Sequence, residues 1–180
     1  MQAKLAKKQY VPSFIQRFAL GSKEADEDIL RILYYDCPPY SGTVRLPVSG
    51  DPHVFSASDQ WLHDLANFDL FAVRRGVLKF RGYKPKRTPV SHGHPLSDGD
   101  FKADFEQKGV DMRIGLDIAA YSTERLVDRI MLVTNDTDCV PAMKFGRKCG
   151  LQIVLAKLPG VKPASELIAH ADFKRSVNWP

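Results

Sequence analysis

Cysteine is scarce in this 180-residue chain: Cys37, Cys139 and Cys149 are odd in number and form no C-x-x-C pair. That excludes a disulfide framework and a cysteine-rich zinc site, and it makes a reducing cytoplasm the expected compartment. Long apolar runs are missing too. The longest are short, such as Ile130 to Val133, far below the ~20 residues of a membrane span. The opening MQAKLAKKQY carries no apolar signal region. There is no internal repeat, no P-loop and no G-x-G-x-x-G, so nucleotide-cofactor binding lacks support. Ser41, Ser56 and Ser58 lie in no G-x-S-x-G elbow, which removes the serine-hydrolase reading. His53, His63 and His170 are isolated. His92-Gly-His94 lacks a third ligand and reads as solvated loop.

What is present suits one α/β domain over residues 1–180. Apolar residues make up 44% and charged residues 26%, enough to build and solubilise a core. Lys+Arg exceed Asp+Glu by 26 to 21, a net charge of +5. The excess favours acidic partners, nucleic acid foremost.

Spacing predicts a helix from Met1 to about Arg31, with Phe14, Ile15, Phe18 and Ala19 on its apolar side. Ile32–Tyr35 reads as a strand ended by Asp36-Cys37-Pro38-Pro39, and Tyr40–Phe55 as a loop. A helix capped by Ser56 or Ser58 should run to about Asn67, burying Trp61, Leu62 and Leu65. Phe68–Val73 and Val77–Tyr83 read as a hairpin about Arg74-Arg75-Gly76. Residues 84–100 read as a flexible loop, rich in Pro, Gly, Ser and His. Val110 to about Glu124 should be a helix with Met112, Leu116, Ala119 and Ala120 on its apolar side. Arg129–Thr134 and Leu151–Ala156 carry the continuous apolar runs of buried parallel strands. Between them Asp138–Cys149 reads as a helix, with Pro141 in its first turn and Gly150 just past its end. A short helix covers Pro163–Ala169. The alternation of strand and helix predicts a doubly wound, mainly parallel sheet.

The chemistry concentrates in acids. Asp136 and Asp138 lie where a buried strand hands over to a helix, the usual ligand end of a parallel sheet. Two carboxylates there suit a hard divalent cation; the plainer alternative is helix capping. Asp111 and Asp117 fall in the helix before. Six residues turn a helix by about 600°, so these two cannot stack on one face. Asp117 lies between Leu116 and Ile118, where a carboxylate requires a cation or a hydrogen bond.

Lys108-Gly-Val-Asp111, Asp117 and Leu132-Val-Thr-Asn-Asp-Thr-Asp-Cys-Val-Pro141 together resemble the NYN domain, the LabA-like branch of the PIN-like nucleases. The family pattern is a KGVD turn, an Asp in the following helix, and a strand ending SGDSDFVP. Tyr34-Tyr-Asp-Cys-Pro-Pro39 resembles its second strand. The resemblance covers about residues 30–175 and is strongest over 108–150. It implies a three-layer PIN-like, Rossmannoid fold. It also implies that Asp111, Asp117, Asp136 and Asp138 hold Mg²⁺ or Mn²⁺ for hydrolysis of RNA phosphodiesters. Thr134 and Asn135 would line the pocket and Lys108 would contact a phosphate; the plainer alternative for Lys108 is a solvated surface lysine. The family opens with a strand ending in a further metal-binding Asp. No such strand precedes Arg31, and Met1–Lys8 resembles the helix that should follow it. The expectation is a domain that starts inside the pattern, one ligand short. Asp36 reads as a turn residue, not as the substitute.

Arg74 to Arg87 holds seven basic residues and no acid. Arg74, Arg75, Lys79 and Arg81 could contact phosphates while Phe80 and Tyr83 stack on unpaired bases, as single-stranded RNA would require. The plainer alternative is a charged edge strand that resists association. The sequence thus points to a metal-dependent ribonuclease, or to an RNA-binding or regulatory module of the same fold that has lost cleavage. Asp136-Thr-Asp-Cys-Val140 also imitates the nucleophile motif of haloacid dehalogenase phosphatases. That motif lies near the start of its family, however, and only 42 residues follow Asp138. A shortened parallel sheet would expose an edge that a second copy could pair with, forming a homodimer.

Overall fold

The computed structural model describes residues 2–88, 93 and 95–180, with side chains from Val11 onward. His92 and His94 lie outside the described residues. Helix α1 spans Gln2–Gly21, with Pro12 inside it, where the ring nitrogen donates no helical hydrogen bond. Phe14 and Phe18 each place a ring within 6 Å of Trp179, between centroids, joining α1 to the chain end. The expected helix thus stops ten residues short of Arg31. The acidic stretch beyond it forms turns, in which Glu27 meets Arg175 at 2.7 Å and also pairs with Arg129.

β1 (Ile32–Asp36) pairs in parallel with β4 (Phe71–Arg75). Between them lie β2 (Gly42–Arg45), β3 (Pro52–Phe55) and α2 (Gln60–Ala66). The segment 40–55, expected as loop, is therefore an antiparallel hairpin of β2 with β3. In α2, Leu62 and Leu65 are fully buried, while Trp61 packs edge-on against Tyr34.

The expected hairpin about Arg74-Arg75-Gly76 does not form. β4 runs beside β1, and β5 (Val77–Pro85) turns away to pair antiparallel with β6 (Phe101–Lys108). Lys84 and Pro85 thus end a strand, and Asp98–Asp100 forms a 3₁₀ turn closed by Ser97. Both belong to the stretch expected as loop. Tyr40, Phe55, Phe80 and Phe105 bring their rings within 6.1 Å of one another, cementing the β2–β3 hairpin to the β5–β6 hairpin.

α3 (Val110–Thr123) follows as expected, but its apolar side is elsewhere. Ile118 and Ser122 are buried, whereas Met112 and Leu116 are 71% and 64% exposed. The inward stripe is Ile114, Ile118 and Ser122, at i, i+4 and i+8. β7 (Arg129–Leu132), α4 (Val140–Lys148), β8 (Gln152–Lys157), α5 (Ser165–His170) and β9 (Phe173–Ser176) complete the chain. β8 is the middle strand of a parallel sheet ordered β7–β8–β9. Cys139, Val140, Met143, Ile153, Leu155, Leu167 and Ala171 form the main core against it.

The fold is thus α/β with parallel sheets, but the sheets are small and split. Among the described residues β1 and β4 pair only with each other, and no strand joins them to β7. No helix is long and apolar enough to cross a membrane, among the described residues.

Candidate metal centre

The Lys108-Gly109-Val110-Asp111 turn passes from β6 into α3. Gly109 adopts a left-handed φ of 78°, and a Cβ there would come within 2.5 Å of the Arg113 guanidinium. Arg113 donates to the Gly109 carbonyl at 2.7 Å, tightening the turn. Asp111 follows in the first turn of α3, exposed.

The second contribution is the connection from β7 to α4. The Asp136 backbone N–H donates to Thr134 Oγ1 at 3.0 Å, and Asp136 Oδ1 accepts from the Asp138 N–H at 2.9 Å. These bonds shape a 3₁₀ turn over Thr137–Cys139 that leads into α4, with Pro141 in that helix's first turn. Asn135 Oδ1 accepts from the Ala164 N–H at 2.8 Å. Thr134 and Asn135 therefore spend these hydrogen bonds on holding their loop and the approach to α5.

Asp111, Asp136 and Asp138 converge. Each offers a carboxylate oxygen, and these oxygens lie within 4.8 Å of one another. All three residues are exposed. Cys37 and Cys139 are buried, which pushes both thiols up and keeps them protonated. The three groups that converge are all carboxylates, an oxygen donor set suited to a hard cation such as Mg²⁺ or Mn²⁺. Asp36, expected as a turn residue, is the last residue of β1, and its Oδ1 accepts from the Cys37 N–H at 2.7 Å.

Asp117, expected in the cluster, is engaged elsewhere. Its Oδ2 accepts from Arg74 Nε at 3.0 Å and from the Tyr35 hydroxyl at 2.9 Å; its Oδ1 accepts from Arg74 Nη2 at 3.1 Å. The cation that its apolar surroundings require is a guanidinium. Burial first, and then the Asp117 carboxylate, push the Tyr35 hydroxyl well up, so it remains a donor.

The basic strip is partly neutralised. Arg74 is held by Asp117 and Arg75 by Asp59 at 3.0 Å. Arg81 meets Glu106 at 3.1 Å, Lys108 pairs with the same Glu106, and Lys84 pairs with Asp104. Lys79 is exposed and faces Glu106 across the strands. Sequence reasoning missed Glu106, Asp104 and Tyr35. The alternation of Phe101-Lys-Ala-Asp-Phe-Glu-Gln-Lys108 was the signal for β6 and its acids.

No family model matches the chain, and no curated protein matches it. It is similar to a crystal structure of a protein of unknown function from Vibrio parahaemolyticus RIMD 2210633. The two are 16% identical, with a TM-score of 0.49, over 91% of this chain and 76% of that one.

Proposed function

We propose that the chain is a metal-dependent ribonuclease of NYN type, with a PIN-like three-layer arrangement about a mainly parallel sheet. The observation that carries this reading is the convergence of Asp111 with Asp136 and Asp138, which come from separate segments of the chain. Three exposed carboxylates so close repel one another, and a divalent cation relieves that repulsion. Asp111, Asp136 and Asp138 would hold Mg²⁺ or Mn²⁺. Such an ion, when bound, supplies charge neutralisation at a phosphodiester and an acidified water. The chain's own contribution is to hold the carboxylates open to solvent, where a polymer can reach them. Lys108 lies just before the Asp111 turn, and Lys79 and Arg81 lie on the same hairpin. These lysines and this arginine would bind the phosphates of single-stranded RNA on either side of the cut.

The experiment is cleavage of a single-stranded RNA in Mn²⁺. Asp136→Asn should lower the rate by at least about 100-fold, more than loss of an outer-shell partner does. RNA binding should stay within about threefold, because the strip carries it. Cleavage that persists in EDTA, or in Asp136→Asn, overturns the reading. The second reading is an RNA-binding or regulatory module without cleavage. It is favoured by one feature: Asp117 is held by Arg74, which leaves the cluster with three carboxylates. On that reading the wild type binds RNA and cuts none.

A further inference from the structure

We propose that Asp117, Arg74 and Tyr35 are positioning residues, a clamp that sets Asp111 at its distance from Asp136 and Asp138. The inference rests on the metal-centre reading and gives Asp117 a different role from that of a ligand. Tyr35 and Arg74 are register partners on the adjacent parallel strands β1 and β4. Both reach the same carboxylate on α3, and all three of their bonds measure 2.9 to 3.1 Å. A fork and a hydroxyl on one carboxylate fix both the height and the rotation of a helix over a sheet. Asp117 is 19% exposed at its side chain, so water competes weakly for those bonds.

The clamp matters because of how the sheets are split. Asp111 rides on α3, six residues before Asp117. Asp136 and Asp138 ride on the loop after β7, and β7 belongs to the other parallel sheet. No strand ladder joins the two sheets among the described residues. α3 touches β1 and β4 on one side and α4 with the 137–139 turn on the other. Its contact with α4 is close: a Cβ on Gly146 would meet Ser122 Oγ at 3.4 Å and Ile118 Cγ2 at 3.5 Å. The seat of α3 therefore decides how near Asp111 comes to the other two carboxylates, and the clamp fixes that seat on the β1–β4 side.

The test uses Mn²⁺ alone, with affinity read by titration and the bound ion's environment by electron paramagnetic resonance. Wild type should bind, and Asp136→Asn should not. Arg74→Met should weaken Mn²⁺ about tenfold, the effect typical of an outer-shell partner, and broaden the spectrum. The sign is diagnostic, since removing a positive charge near a cation site tightens binding on electrostatics alone. Arg74→Lys keeps one prong of the fork and should recover part of the loss. Tyr35→Phe, the mildest variant, should weaken binding about threefold and serves if Arg74→Met does not fold. Binding in Arg74→Met equal to or tighter than wild type, with Asp136→Asn inactive in binding, overturns the clamp and leaves the metal centre standing. If wild type binds no Mn²⁺, the metal reading falls. Hydrogen exchange then judges the clamp on its own: faster at the 110–111 and 136–138 amides in Arg74→Met supports it, and unchanged overturns it.

Discussion

The two parallel sheets of this chain are built from similar strands and end in different states. In β8, Ile153, Val154 and Leu155 are fully buried, because β7 and β9 flank the strand and α4 and α5 pack on it. In β1, all five residues from Ile32 to Asp36 remain half-buried, with β4 as the strand's one ladder partner among the described residues. Apolar sequence alone does not bury a strand. It takes a neighbour on each edge and a helix on the faces, and the two sheets differ in the neighbours. Polar contacts seat the first sheet against its neighbours: Arg74 and Tyr35 on Asp117, and Arg75 on Asp59.

The sharpest way to break this contrast is a matched pair of truncations. Leu155→Ala should cost about 3 kcal/mol, and Leu33→Ala in β1 about 1 kcal/mol, because a half-exposed site loses less transfer energy and leaves less cavity. Urea melts of both variants measure it; equal losses would mean that the first sheet is as well cored as the second. Next in size is the junction at Gly76, between β4 and β5. A Cβ there would lie 2.7 Å from Cys37 Sγ and 2.8 Å from both the Lys108 carbonyl and Val110 Cγ2. Gly76→Ala should therefore cost about 1–3 kcal/mol, by forcing β1, β6 and α3 apart where they meet. A melt close to wild type would show that this junction yields.

The smallest effect concerns Glu27, which ties the turns after α1 to β7 and β9 of the second parallel sheet through Arg129 and Arg175. The Arg175 guanidinium holds its carboxyl at about 2, down from 4.5. A depressed pKa in the folded state stabilises above the unfolded value and loses that contribution as pH falls through the folded one. Stability should thus decline between about pH 5 and pH 2, and Glu27→Gln should flatten that decline. Urea midpoints at the two pH values check the sign.

Much of the second half was legible. The apolar run Ile130–Val133 does mark a strand, but β7 is an edge strand among the described residues, half-buried from Arg129 to Leu132 with Val133 exposed, where the run predicts burial on both faces. Pro141 and Gly150 bracket α4. β9 was not, because Phe173-Lys-Arg-Ser176 is short and mostly exposed. In the first half the Gly76 signal predicts a hairpin turn; the partner of β4 is β1, a long-range choice that no local residue encodes. The acid pattern contains all three carboxylates that converge, Asp111, Asp136 and Asp138. For Asp117 the need for a cation was legible, whereas its identity as Arg74, 43 residues away, depended on the β1–β4 register.

Asp111 and the Asp136–Asp138 pair approach from opposite sides of the same joint. Without a counter-ion their mutual repulsion pushes that joint open. Dissolved salt acts on them within about 8–10 Å, the reach of screening in ordinary buffers. Rising ionic strength should therefore relieve the push on α3 from the carboxylates while it weakens the Arg74–Asp117 pair that seats the helix, so salt works on that seat from both sides.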